Sequence, residues 1–427
     1  MHKSGSPVHL WSAISMGIGA MVGAGIFALL GEAGSIAGNQ AYLSFLIGGL
    51  IALLSGYSFG KLGAQYPAAG GIIEYLTQGF GAGTFTGGIG IILYFAALVS
   101  LSLISKAFAN YFLALFKITP SFWAIGLLSA TIIALFVFIN LNGAKDVAFW
   151  EALIVFIKFS VLVILSIAGV VYLNPDFIKP TPNIHTSNIL SSLAITFFAY
   201  EGFRVVSNTA EDMKNPQSTL PKAILISILL VMLLYLSVSI AVFGNLPVQD
   251  IIDAKDYALA KAAVPVFGQT GFTIVSITAL LSTASAINAN LYAVTNVTYQ
   301  LAKDGELPRE FSKQVAKSRE GLIISGVLVI ILSLLFNLSE IASIGSILVL
   351  FVHGITHLGH LRIIKLTKAS TTLVILAMSA CFLAMILALI YLSHKMAHTF
   401  IYLISFICVA YLLEIILQRF GKKYYSR

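Results

Sequence analysis

The sequence predicts an all-α integral membrane protein with twelve transmembrane helices, and three observations lead there. Of its 427 residues, 58% are hydrophobic and only 10% charged, with a mean hydropathy of +0.95. A soluble domain carries roughly 25% charged residues, so a water-facing surface cannot be assembled from this set. Apolar runs of about 20 residues, the length that crosses a bilayer as a helix, recur along the whole chain. The basic residues, finally, are gathered in the short gaps between those runs, an arrangement that orients helices in a membrane rather than binding nucleic acid, despite the net charge of +8.

In chain order the runs fall at 10–37, 41–66, 83–116, 121–141, 146–173, 187–211, 222–244, 271–301, 321–337, 340–362, 371–393 and 398–418. The first continues past Leu30 and is glycine-rich, longer than the ~7–15 apolar residues of a cleaved signal peptide. With the N-terminus inside, the cytoplasmic gaps hold Lys3, Lys61, Lys145, Lys214, Lys222, Lys303, Arg309, Lys313 and Lys317. They also hold Arg319, Arg362, Lys365, Lys368, Arg419, Lys422, Lys423 and Arg427. The outer gaps hold Lys117, Lys179, Lys255, Lys261 and Lys395, a bias of about three to one. Segment 1–9 and the tail 419–427 are therefore expected in the cytoplasm of a cell-membrane protein. Cys381 and Cys408 both lie in apolar runs and provide neither a disulfide framework nor metal-ligand spacing.

Two runs are irregular. The first contains Gly17, Gly19, Gly23 and Gly25; the sixth contains Glu201, Gly202 and Arg204 near its middle. They head two successive groups of five spans, 10–173 and 187–362, with 371–418 outside the pattern. Interrupted helices at matching positions of two halves point to a transporter binding site, and an odd number of spans per half makes the second half inverted. The glycines of the first run have two readings. One is local unwinding, which is tolerated at membrane depth only inside protein or a water-filled cavity. The other is close packing through a small-xxx-small spacing. Unwound backbone would offer N–H groups to a carboxylate and carbonyls to an ammonium, the two ends of an amino acid. The GxGxxxG string is not preceded by a strand, which argues against a dinucleotide loop.

Four stretches resemble the amino acid–polyamine–organocation (APC) superfamily. They are GIGAMVGAGIF at 17–27, GKLGAQYPAAGGIIEYL at 60–76, FFAYEGFRVVSNTAEDMKNPQSTLPKAI at 197–224, and NVTYQLAKDGELPREF at 296–311. With Lys158 and FGNLPVQDIIDAKDYALA at 243–260, the chain looks most similar to the ApcT-type proton-coupled amino-acid transporters. The resemblance implies a LeuT-type fold of two inverted five-helix repeats plus two helices, and transport by alternating access. It carries the carboxylate-binding turn to Gly23, Ala24 and Gly25. It carries the ammonium acceptors to the carbonyls of Gly19, Val22, Phe198, Ala199 and Glu201, with Phe198 as an aromatic lid. The charges of Glu201 and Arg204 depart from the pattern of many relatives.

Lys158 lies about twelve residues into the fifth run, roughly 18 Å from its start and beyond comfortable snorkelling reach. It reads as a titrating group whose ammonium stands where relatives place sodium, with Ser282, Thr283 and Ser285 supplying hydroxyls on the resemblance, or as a structural cap on carbonyls. Glu201 and Arg204 are three apart and can pair; alternatively Glu201 meets the substrate amine or a proton. Lys106 and Glu151 are expected to be solvated or paired, and Glu32 to be wet. His353, His357 and His360 are expected near the cytoplasmic interface rather than at a metal, since no acidic partner is near in sequence. Residues 246–267 should form an outer lid, with Ile251, Ile252, Ala254, Tyr257, Ala258 and Ala262 on one apolar face.

These readings converge on a secondary transporter that imports neutral, small or apolar L-amino acids, coupled to protons and independent of sodium. The expected partners are the amino acid, protons and the bilayer, with no cofactor, no metal, no nucleic acid and a monomeric chain. The alternatives are an exchanger without net proton movement, a non-transporting solute sensor and a channel. An enzyme is disfavoured because HExxH and a phosphate loop are missing from the sequence.

Overall fold

The computed structural model describes residues 8–68, 70–142, 147–179, 186–303 and 307–421, apart from the side chains at 24, 147–151, 413–414 and 416–421. Most of the expected cytoplasmic segment 1–9, residues 422–427 of the tail and the side chain of Glu151 thus lie outside the described residues. The first helix, α1 (Leu10–Ala37), ends at Gly38, whose φ of 60° suits glycine, and leads into α2 (Ala41–Gln65). A short α3 (Ile72–Phe80) follows, then α4 (Thr84–Leu115), α5 (Phe122–Asn142), α6 (Val147–Val171) and the single turn α7 (Pro175–Ile178). The sixth run is broken into α8 (Thr186–Ser191), α9 (Leu193–Phe198), a 3₁₀ turn at Glu201–Phe203 and α10 (Arg204–Ser207). The long α11 (Pro216–Phe243) begins with proline at a position where its missing N–H costs nothing.

The connection after α11 folds as α12 (Val248–Asp253), a 3₁₀ turn at Lys255–Tyr257 and α13 (Ala258–Ala262). Next comes α14 (Val264–Lys303), which breaks at Gly268 where φ is +63°. A two-residue hairpin, β1 (Gln314–Val315) with β2 (Ser318–Arg319), precedes α15 (Glu320–Leu335). A capping box then starts α16 (Leu338–Arg362): Asn337 accepts from the Glu340 N–H, and the Glu340 carboxylate accepts from the Asn337 N–H. The chain closes with α17 (Ile364–Thr367), α18 (Thr371–Lys395) and α19 (Ala397–Gly421).

Among the described residues, nine stretches are long and apolar enough to cross a membrane, and three shorter ones, Leu10–Gly23, Glu320–Leu335 and Ala397–Leu412, are also apolar. The layering follows from burial. Helices α1, α4 and α16 and the broken sixth run form the centre, whereas α5, α6 and α18 expose Phe138, Phe156 and Leu383 on the outside. Contiguous apolar surface of this extent faces lipid, not water. The break in the sixth run is tolerated because protein surrounds it. Its turn is closed by bonds from the Tyr200 N–H to Phe197 and from the Phe203 N–H to Tyr200, and the Tyr200 hydroxyl donates to the Phe45 carbonyl. The expected span boundaries agree with the helices to within a few residues, apart from α3 and the break at Gly268. The lid is helical as expected, with Ile251, Ala254, Ala258 and Ala262 buried and Ile252 exposed.

Candidate functional site

Helix α1 crosses the centre of the fold, and every part of the site is built against it. It is helical without interruption from Leu10 to Ala37, so the expected unwinding around Gly17–Phe27 is absent from this structure. Packing accounts for the glycines here. A side chain at Gly17 would run into Ser227 and Val206, one at Gly19 into Val155, and one at Gly23 into Ala286. At Gly25 it would meet the Tyr235 hydroxyl and the Ala199 carbonyl. Gly25, in the stretch expected to bind a carboxylate, is therefore a neighbour of Ala199 in the broken turn, at a distance that leaves no room for a Cβ. Gly202 closes the same interface from the other side, since a Cβ there would strike the backbone of Ala20 and Met21.

The hydroxyl of Tyr235 on α11 stitches these pieces together, donating to the Met21 carbonyl at 2.7 Å with the Ala199 carbonyl at 3.4 Å. The sequence reading did not single this residue out. Its only signal was a lone tyrosine within the apolar seventh run, whose hydroxyl must find a partner when buried. The Phe198 ring lies over Gly345 of α16, beside Val99 of α4.

Two of the expected ammonium acceptors are engaged by side chains. Lys158, only 1% exposed, donates from Nζ to the Gly19 carbonyl at 2.6 Å. Ser282 of α14 donates to the Val22 carbonyl at 3.2 Å. Thr283 donates to its own helix at Ala279 and Leu280, and Ser285 is half-buried on the next turn. Thus α6 and α14 both grip the same turns of α1 through polar groups. A buried ammonium on a carbonyl is costly to desolvate and is retained only where it is well bonded.

On the opposite side of α1, Glu201 and Arg204 do pair, with Arg204 Nε 2.5 Å from Glu201 Oε1, and both are buried. The structure adds a third member: His353 Nε2 stands 3.1 Å from Glu201 Oε2. This corrects the expectation that His353, His357 and His360 lie at the interface. All three are fully buried, His353 among the rings of Phe59, Phe197 and Phe203. The acidic partner comes from another helix, so spacing along the chain could not reveal it. Among the described residues, no group of three His, Cys, Asp or Glu is placed to hold a metal ion.

A second polar cluster joins α1 to the connection between α11 and α14 and to α16. Glu32, expected to be wet, is 2% exposed. Its carboxylate lies 3.1 Å from Lys255 Nζ in the lid and accepts from Ser339 Oγ of α16 at 2.7 Å. Lys255 also donates to Ser339 at 2.6 Å. The lid backbone passes so close to α1 that a Cβ at Gly31 would collide with the Lys255 carbonyl. Asp256 next to it is half-buried, and burial pushes its carboxyl above the usual range against the pull of Lys255 and Lys106. Lys106 itself is buried, with its ammonium over the Phe122 ring, 5.8 Å from the centroid, and within electrostatic reach of Asp256 and Glu340.

Comparison with known proteins agrees with this architecture. The sequence pattern of the family described as "Amino acid permease" matches residues 8–413. An uncharacterized protein of Methanocaldococcus jannaschii is 36% identical over 100% of this chain and 98% of its own length. The inner membrane transport protein YbaT of Escherichia coli is 37% identical over 81% of each chain. The branched-chain amino acid permease BcaP of Bacillus subtilis is 26% identical, covering 78% of this chain and 75% of its own. The match spans nearly every helix described above, and on it this multi-pass membrane protein belongs to the amino acid permease family of the APC superfamily, a family of transporters rather than enzymes.

Proposed function

We propose that this transporter imports neutral, small or apolar L-amino acids by alternating access, coupled to protons and independent of sodium. The observation that carries the reading is the buried Lys158 ammonium on the Gly19 carbonyl. An amine near the bilayer centre has to be paired, neutralised or moved. Protonated, it holds α6 to α1 as a fixed cation would. Deprotonated, its amine keeps two N–H donors but loses its charge, so α1 is freer to move. The release of α1 is the step by which proton loss opens the inner path.

The substrate lies between α1 and the broken sixth run. Its carboxylate takes the N–H groups of Gly23, Ala24 and Gly25, which requires α1 to open locally there. Glycine is the residue at which such opening meets least steric resistance. Its ammonium takes carbonyls among Gly19, Val22, Phe198, Ala199 and Glu201, in competition with Lys158 and Ser282. Phe198 and its apolar surroundings suit an uncharged side chain, in keeping with the branched-chain substrate in the printed name of one relative. The supporting scaffold is two inverted LeuT-type repeats, 10–173 and 187–362, followed by 371–418, with both termini in the cytoplasm and the chain in the cell membrane.

Uptake into proteoliposomes tests the reading. Accumulation should follow an inward proton gradient, persist when choline replaces sodium, and disappear in Lys158→Ala while substrate binding survives in part. Strict sodium dependence, or full proton-driven accumulation in Lys158→Ala, would overturn it.

A further inference from the structure

We propose that Glu201, His353, His357 and His360, together with the hydroxyls of Ser58 and Thr367, form a proton path from the broken sixth run to the face bearing Lys365 and Lys368. The inference deepens the proton-coupled reading and rests on it, adding an exit for the proton that Lys158 does not supply.

The groups are ordered as a path requires. At one end His353 Nε2 is 3.1 Å from Glu201 Oε2. Further along, His357 Nδ1 and Ser58 Oγ are 2.9 Å apart, Ser58 Oγ and His360 Nδ1 2.7 Å, and His360 Nε2 and Thr367 Oγ1 2.8 Å. Thr367 sits between exposed Leu366 and exposed Lys368, at the end of the protein interior. A neutral imidazole donates through one nitrogen and accepts through the other, and a hydroxyl does both. Each link can therefore reverse its polarity without any heavy atom leaving its place.

Two steps lack a hydrogen bond: Glu201 to His353, which are close but not bonded, and His353 to His357, whose ring centroids are 6.3 Å apart with the rings nearly perpendicular. Among the described residues, both ring nitrogens of His353 and both carboxylate oxygens of Glu201 are buried without a hydrogen-bond partner. A buried ring nitrogen without a partner is destabilising, and a packing role alone would be met at lower cost by an apolar side chain. Its position instead suits a group that passes its proton across the gap when the ring turns or a water enters.

The surroundings favour a neutral relay that charges only in passing. Arg204 faces Glu201 from the broken run. Cys381 of α18 lies 3.4 Å from Ser55 Oγ, which in turn is 2.9 Å from His357 Nε2. Tyr75 of α3 stands behind Phe59. Lys61 of α2, Arg362, Lys365 and Lys368 flank the far end, and α4 meets α16 through aliphatic Val99 at Gly345. In each transfer one O–H or N–H bond breaks as the next forms. Glu201 is left as a carboxylate beside Arg204, and one proton leaves at Thr367.

The experiment uses the full chain in proteoliposomes, with an equimolar mixture of neutral L-amino acids as the probe. Two quantities are compared: accumulation driven by a proton gradient, and counterflow without one. In His357→Gln, His360→Gln and Ser58→Ala, driven accumulation should fall by about tenfold or more, while counterflow stays within about twofold of wild type. Ser58→Thr, which keeps the hydroxyl, should restore driven accumulation. Unchanged accumulation in the glutamine variants, or equal behaviour of Ser58→Ala and Ser58→Thr, overturns the relay and leaves the Lys158 reading intact. Counterflow without any gradient-driven accumulation in wild type overturns the proton-coupled reading and the relay together.

Discussion

Tyr235 donates its hydroxyl to the Met21 carbonyl at 2.7 Å and holds the Ala199 carbonyl within 3.4 Å, so one side chain of α11 ties α1 to the broken sixth run. Tyr235→Phe keeps the ring and removes the tie. A buried hydrogen bond of this kind contributes about 1 kcal/mol net. The variant should unfold at a slightly lower temperature, and saturating substrate should stabilise it less than wild type in a thermal-shift assay. Identical ligand-induced shifts would mean that the hydroxyl plays no part in assembling the site.

Gly25 lies under that same hydroxyl. A valine there collides with Tyr235 and with the Ala199 carbonyl, and the second is backbone that cannot swing aside. Overpacking of this kind costs roughly 1–3 kcal/mol. Gly25→Val should lose substrate binding and uptake, with Gly25→Ala intermediate. Normal uptake by Gly25→Val would refute both the close packing seen here and the backbone-binding role proposed for Gly23, Ala24 and Gly25.

The membrane helices were legible because apolar run length alone specifies a span. Helix α3 was not, since nine residues with one buried face, Ile72, Ile73, Tyr75 and Leu76, are too short to register as a span. The glycines of α1 serve unwinding and close packing equally well in sequence, and only their neighbours decide between them. Lys158 stands out in the sequence because a lone amine at mid-span is costly, and the structure shows it bonded to the Gly19 carbonyl. His353 and Glu32 were misjudged for the opposite reason. Each looks unpartnered along the chain, and each meets its partner, Glu201 or Lys255, only when distant helices come together. Charges that depend on long-range pairing are the part of a site that pattern reading reaches last.

Asp256 gives the lid a pH dependence with a defined sign. Its carboxyl is raised above the ordinary value because closure buries it. The closed lid is therefore favoured when Asp256 is protonated. That contribution is fully present below the ordinary carboxylate value, about 3.9, and is lost as pH rises through the raised one. A cysteine placed at Tyr257, in a background lacking the exposed Cys408, should react faster with an impermeant thiol reagent as pH rises through that window. Asp256→Asn should flatten the profile. A profile that is flat in the parent, or unchanged by the asparagine, would exclude Asp256 as its source.

Glu32, Lys255 and Ser339 tie the segment 246–267 to α1 and α16, and on the reading of that segment as an outer lid their energetics predict an unusual order among variants. Glu32 is almost fully buried, whereas Lys255 retains partial exposure. Removing Lys255 leaves a buried carboxylate with only Ser339 to answer it. For fully buried pairs such a loss costs roughly 3–5 kcal/mol, and the exposure of Lys255 to water reduces that here. Removing both charges instead leaves a neutral amide beside a hydroxyl. Lys255→Met should therefore open the outer side more than Glu32→Gln with Lys255→Met does. Opening can be read from the labelling rate of a cysteine at Tyr257, and from uptake, which should fall in the same order. Glu32→Gln alone should be milder than Lys255→Met, because it leaves the lysine free to turn toward water. Should the double variant prove as open as the sum of the two single ones, the residues are not coupled and the closure is held by the apolar face of the lid alone.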